Sequence, residues 1–239
     1  MFKTYLQYIN EKESGGAEAG ILDLTKVSYK VVKNFAEELF EKHGRVLDVE
    51  IPNFEKNFNL AKSKFLQGKT ERKDMPVIAT ADVKLFQQRL ERGMIDINNP
   101  YASTTDHKNP FPEGLTGKQA KDFIEAGWKD GETSDDVVNV LPLITSAKDL
   151  FPIQRQAYID KSLEKIAKDG AEGCRSFLVE RKLIASIDDY IIDGHHRFLT
   201  ALLLDPNMKL QGIRIDLDIV TLKKLALAYG DAIGNKRNK

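Results

Sequence analysis

Cysteine is nearly absent from this chain: Cys174 is the only one in 239 residues, which excludes an internal disulfide and any cysteine-rich zinc site and fits a reducing compartment. No charge of either sign is in excess. The 36 basic and 36 acidic residues cancel, so no global field steers the protein onto nucleic acid or an anionic membrane. No apolar run approaches membrane-spanning length, and the opening "MFKTYLQYINEKES" is too charged for a secretory signal. The expectation is a cytoplasmic protein with no membrane contact. Histidine is also scarce, with four in all, yet two of them stand side by side in "YIIDGHHRFLTALLL", residues 190–204.

With 41% hydrophobic and 30% charged residues, the chain has material for one large domain or two small ones. Its two halves differ in pattern, and the expected boundary lies at 136/137. Residues 1–136 read as mainly helical. A short docking helix is expected from Phe2 to Asn10, then a flexible "ESGGAEAG". In "TKVSYKVVKNFAEELFEKHG", Val27, Val31, Phe35 and Leu39 recur every four residues and Gly44 closes the helix. "RVLDVEI" suggests a strand, while "FEKNFNLAKSKFLQG", "ATADVKLFQQRLERG" and "GKQAKDFIEAGWKDG" suggest helices. A loop rich in Pro, Asn, Gly and Asp encloses His107, and "KDGETSDD" at 129–136 is the nearest thing to a linker.

From 137 to 239 strands alternate with helices, as in a compact α/β unit. "VVNVLPLI", "SFLVE", "LIASI", "DYIIDG" and "QGIRIDLDIV" are strand candidates. "IQRQAYIDKSLEKIAKDG", "HHRFLTALLLD" and "TLKKLALAYGDAIG", the last opened by Thr221 as a cap, are helix candidates.

The histidine pair thus sits where a buried strand turns through Asp193 and Gly194 into a helix. Such a junction leaves backbone N–H groups without internal partners and attracts anions. Gly194 permits close approach of a phosphate, and Arg197 in the first turn carries a forked pair of donors. His195 and His196 are about 100° apart on the helix, so they do not share one metal; one is expected to face a ligand and the other to pack. A purely structural reading stands beside this one: Asp193 as a cap, Arg197 paired with a surface carboxylate, and both histidines satisfied at a helix start.

"IIDGHHRFLTAL" resembles the signature of the ParB/sulfiredoxin fold, in the DGHHR-bearing branch common in phages and bacteria. "LFPIQRQAYIDKSLEKIAKDG" resembles the segment preceding that signature, with Leu150, Pro152 and Gln154 at its L-x-P-x-Q positions, and "IRIDLDIV" resembles the strand that follows. The resemblance covers roughly 137–233. It implies an α/β ParB/sulfiredoxin-like C-terminal domain behind the helical region, and a nucleotide or phosphate site made by Gly194, His195, His196, Arg197 and Gln154. It also implies Asp193, His195 and His196 as catalytic groups and Asp193 as a Mg²⁺ ligand, with ATP or another nucleotide as cofactor. If the gene is phage-borne, the compartment is the host cytoplasm. Sulfiredoxins carry a reactive cysteine where this chain has His195, which excludes sulfinic acid reduction; the short stretch after the last strand argues against a chromosome-partition clamp.

The first functional expectation is phosphoryl transfer to a hydroxyl acceptor, kinase-like, or nucleotide hydrolysis. Serine kinases of this fold use a glutamate near the preceding helix, where this chain offers Gln154 and Gln156, with Asp149, Asp160 and Glu164 as less exact substitutes. The alternative is a metal-dependent ParB-like nuclease acting on DNA, against which the neutral charge counts. A second alternative is a non-catalytic nucleotide-sensing module whose N-terminal helices bind a protein partner. Elsewhere, His107 reads as a solvated loop residue or a lid, Trp128 as core, Arg72 and Lys73 as surface charges, and Asp216 and Asp218 as neighbours on one face of a strand.

Overall fold

The structure is a computed structural model that describes residues 22–79, 81–98, 110–132 and 134–236. The expected helix at 2–10 and His107 lie outside the described residues.

Helix α1 (Tyr29–Lys42) starts where the Ser28 hydroxyl accepts the Val31 N–H, and it buries Val32, Phe35, Ala36, Leu39 and Phe40 along one stripe. Val31 turns outward. Gly44, with φ of 68°, reverses the chain as the closing cap. The following "RVLDVEI" is not a strand. It forms the short helix α2 (Leu47–Glu50), because the buried residues Leu47 and Ile51 are four apart while Val46 and Val49 face solvent. Helix α3 (Phe54–Leu66) carries two buried polar residues, each with a carbonyl partner: Asn57 donates to Leu203 O and Lys64 to Leu150 O, both at 2.8 Å. Helices α4 (Val83–Glu91) and α5 (Lys118–Ile124) follow. Trp128 is half exposed rather than core, its Nε1 donating to Arg92 O.

The sheet contains β1 (Val140–Ser146), β2 (Phe151–Pro152), β3 (Leu183–Ser186), β4 (Tyr190–Asp193) and β5 (Lys209–Ile215), in the order β1-β5-β3-β4-β2. Pairs β5/β3 and β4/β2 are parallel and the other two antiparallel. Alternation along the central strands feeds two cores. Leu183, Ala185 and Ile191 face one, with α1, α3, α6 (Ile159–Glu180) and α7 (His195–Leu204). Ile184, Ile192, Ile213 and Ile215 face the other, with α4, α5 and α8 (Ile219–Ala232). The protein is therefore α/β, with helices on both faces of a mixed sheet. Residues on either side of position 137 contribute to both cores.

Three further elements differ from their sequence patterns. Helix α6 begins six residues after Ile153, since 153–155 is drawn into extended pairing with residues 69–70. "SFLVE" is its last turn, not a strand: Gly170 breaks the helix at φ 76°, Glu50 accepts the orphaned Ala171 N–H at 2.6 Å, and the helix restarts with Cys174 and Leu178 buried four apart. "QGIRIDLDIV" leaves the sheet at Ile215. Asp218, rather than Thr221, caps α8 by accepting the Val220 and Thr221 N–H groups, so Asp216 and Asp218 do not share a strand face.

Candidate functional site

Strand β4 buries Ile191 in one core and Ile192 in the other, and so fixes the direction in which Asp193 leaves the sheet. Gly194 then adopts φ 101° and ψ 22°, and α7 begins at once without a side-chain cap. A Cβ on Gly194 would lie 2.2 Å from Leu183 Cδ2, so both the backbone angle and the space demand glycine. The uncapped start of α7 opens on a cavity of about 280 Å³ lined by Arg72, Gln154, Asp193, Gly194, His195, His196 and Arg197, with Met75, Pro76, Val77 and Ile192 as an apolar wall.

The residues expected at this turn are together, but their roles separate. His195 is buried: its Nε2 accepts the Gln154 backbone N–H at 3.2 Å, the ring also bonds the Ile191 main chain, and its edge meets Phe65. Burial first, and then the neighbouring His196, Arg197 and Arg72, push its pKa down to about 3. It is a neutral pin between β4 and the 152–155 segment. His196 is different. Its Nε2 is buried without a hydrogen-bond partner, its ring stacks at 6.5 Å and 19° on Tyr158, and burial followed by Arg72 and Lys161 lowers its pKa to about 4.

Arg197 spends its guanidinium within the protein: Nη1 donates to Lys182 O at 2.8 Å and Nη2 to Asp193 Oδ2 at 2.5 Å. Asp193 also accepts the Gly194 N–H, yet burial dominates and raises its pKa. Arg197 thereby braces the turn. Gln154 contributes its main chain, while its side chain is held by Gln156 O. Of the substitutes for a kinase glutamate, Asp149, Gln156, Asp160 and Glu164 do not line the cavity; Asp160 accepts the Leu22 N–H and Gln156 the Arg72 N–H.

Arg72, expected at the surface, belongs to this site. Residues 69–70 pair with 153–155, and Gly68 makes this possible because a Cβ there would lie 2.6 Å from Gln154 O. The turn that follows, Arg72–Asp74, sets the guanidinium over Tyr158 at 5.4 Å and against the cavity. No local signal marks this residue, since its partners are more than 80 positions away. Lys73 does lie at the surface, paired with Glu71.

Among the described residues Asp193 is the only carboxylate lining the cavity, and it is already paired with a guanidinium. These donors do not make a protein cage for Mg²⁺; an ion here would be held chiefly by a ligand's own phosphates. Comparisons with protein-family models, curated proteins and solved structures found no match. Among the described residues, no helix is long and apolar enough to cross a membrane.

Proposed function

We propose that the cavity at the start of α7 seats a nucleotide phosphate, and that the protein is a ParB/sulfiredoxin-like enzyme of phosphoryl transfer or nucleotide hydrolysis. The observation that carries this reading is the meeting, in one cavity, of an uncapped helix start, the Arg72 guanidinium and the unpartnered Nε2 of His196. Backbone amides and an arginine from a separate segment supply what a phosphate requires. Arg72 and Lys161, which add to burial in lowering the His196 pKa, also favour an anion. Met75, Pro76 and Val77 give an apolar wall for a sugar or base, and a volume of about 280 Å³ suits a phosphate chain with the base at the rim.

In this reading His195, Gly194 and Arg197 hold the turn rather than react. His196 donates to or accepts from the phosphate, and Asp193 takes the acceptor's proton or contacts a phosphate-borne Mg²⁺. The nuclease reading has less support, because phosphodiester hydrolysis by metal ions calls for a set of carboxylates and the cavity has one. A non-catalytic nucleotide-sensing module is favoured by one observation: Asp193, the only carboxylate, is engaged by Arg197 and Gly194.

Thermal unfolding with ATP, ADP, CTP and GTP, each with and without Mg²⁺, tests the proposal. At least one nucleotide is expected to stabilise the wild type. Arg72→Ala, which removes a charge-assisted contact worth about 1.5–3 kcal/mol, should weaken that nucleotide by roughly 10- to 100-fold, read as the loss of the nucleotide-induced shift relative to the variant's own apo melting temperature. Equal affinity in the variant would remove the basis for the site. Nucleotide consumption that rises with an added hydroxyl acceptor supports phosphoryl transfer, release of inorganic phosphate to water supports hydrolysis, and saturable binding without turnover supports the sensing module.

A further inference from the structure

A second cluster lies on the other face of the sheet, where α4 runs out and the chain prepares to enter β1. Asp96 follows α4, Asp130 follows the turn Ala126–Trp128, and Asp136 precedes Val138, whose N–H reaches back to Leu90 O at 3.0 Å. One carboxylate oxygen from each of the three lies within 4.8 Å of the others. Asp136 is the telling member. It is 1% exposed; Oδ1 accepts the Ile97 N–H at 2.9 Å, but Oδ2 is buried with no hydrogen-bond partner. A buried, unpartnered carboxylate oxygen beside two more carboxylates is costly unless a cation meets it.

Lys129 is engaged by Asp122 and Glu125, and among the described residues none of the three aspartates pairs with a lysine or arginine. Only glycine lets Asp136 come this close at position 127, where a Cβ would stand 2.5 Å from both Asp136 Oδ2 and Gly93 O. The oxygens of Asp96 and Asp130 are held in position by the Asn98 and Glu132 N–H groups.

We propose that Asp96, Asp130 and Asp136 form a divalent cation site, matched to Ca²⁺, which ties the exit of α4 to the segment entering β1. The donor set decides the class of metal. Three carboxylates without histidine or cysteine select a hard cation over zinc or copper. The choice of calcium rests on flexibility. Ca²⁺ takes 6–8 oxygens at about 2.3–2.6 Å with loose geometry, so ligands up to about 5 Å apart can share it, whereas Mg²⁺ demands a near-ideal octahedron. The three oxygens, all within 4.8 Å of one another, come from loop segments that meet the looser demand. Water completes the coordination on the exposed side, at Asp130.

The test uses the full chain after treatment with chelator. Ca²⁺ at a hundredfold excess over its Kd should raise the melting temperature by roughly 5–10 °C, with a smaller shift from Mg²⁺. Tb³⁺ should show emission sensitised through Trp128, the only tryptophan and two positions before Asp130, and Ca²⁺ should displace it. Asp136→Asn and the exposed Asp130→Asn should each weaken Ca²⁺ and Tb³⁺ at least tenfold; Asp130→Asn keeps the test open if the buried variant does not fold. Absence of stabilisation and of sensitised emission at ~1 mM ion, within the range of weak calcium modules, would overturn the site. So would equal responses in both variants. An equal shift with Mg²⁺ would overturn the assignment to calcium.

Discussion

Gly194→Ala is expected to lower stability by about 3 kcal/mol, which for a chain of this size is a fall of about 6–12 °C in melting temperature, and to abolish nucleotide binding. Two costs add. The alanine must hold φ near 101°, outside the regions a side chain tolerates, for about 1–2 kcal/mol. Its methyl also meets Leu183 Cδ2 at 2.2 Å, where β3 and β4 are already paired, so the strands must part or the turn must open. Gly44→Ala is the control: its φ is also positive, at 68°, but nothing lies within 4 Å, so about 1 kcal/mol is expected. Chemical denaturation of both variants checks this. Equal losses would mean that the packing of Leu183 on the turn is not what fixes the site.

Acidification is expected to destabilise the protein through the same turn. His195 and His196 have native pKa values of about 3 and about 4, against 6.5 for an unperturbed histidine. Both native values are depressed, so the unfolded chain binds two protons that the native one refuses as pH falls below 6.5. Each then removes up to ~1.4 kcal/mol of stability per pH unit. Two carboxyls act in the opposite direction. Asp136, raised from 3.8 to about 6 chiefly by burial, is protonated in the native state before the unfolded one and recovers part of the loss below pH 6; Asp193, also raised by burial, adds to that recovery. Between pH 7.5 and pH 5 the two histidines together remove about 4 kcal/mol, of which the two carboxyls recover part. Replacing His196 by Gln should remove about one proton from the dependence. Denaturant unfolding of the wild type and the variant at pH 7.5, 6 and 5 measures it, and an unchanged pH dependence in the variant would contradict the burial of the His196 ring.

Much of the site's skeleton is legible in residues 190–204, because a β-branched strand end, a glycine and a helix with buried Phe198 and Leu199 leave few ways to fold. The split between the histidines is not legible. Residues i and i+1 on a helix must diverge, but only the fold decides that His195 meets the Gln154 N–H while His196 meets Tyr158. His195 and the Arg197–Asp193 pair have their hydrogen bonds met within the turn, whereas His196 Nε2 is left without a partner. Arg72 escapes sequence reasoning because its place depends on the pairing of residues 69–70 with 153–155, a non-local contact. Likewise "SFLVE" has strand composition, but it follows the Glu50 cap on Ala171 in a helix that buries Cys174 and Leu178, contacts that local composition does not reveal. "QGIRIDLDIV" alternates past its true end because Asp218 serves as a helix cap, which alternation alone does not reveal.

The most direct test of the phosphate seat is histidine-selective NMR of the imidazole nitrogens during titration with the stabilising nucleotide, or with inorganic triphosphate. His196 is expected to shift on binding and its pKa to rise, because a phosphate offsets the effect of Arg72 and Lys161 and gives Nε2 the partner it lacks. His195, satisfied on both sides, should barely respond. Saturable binding that leaves His196 unmoved, or the absence of any binding, would contradict the placement of phosphate at the start of α7.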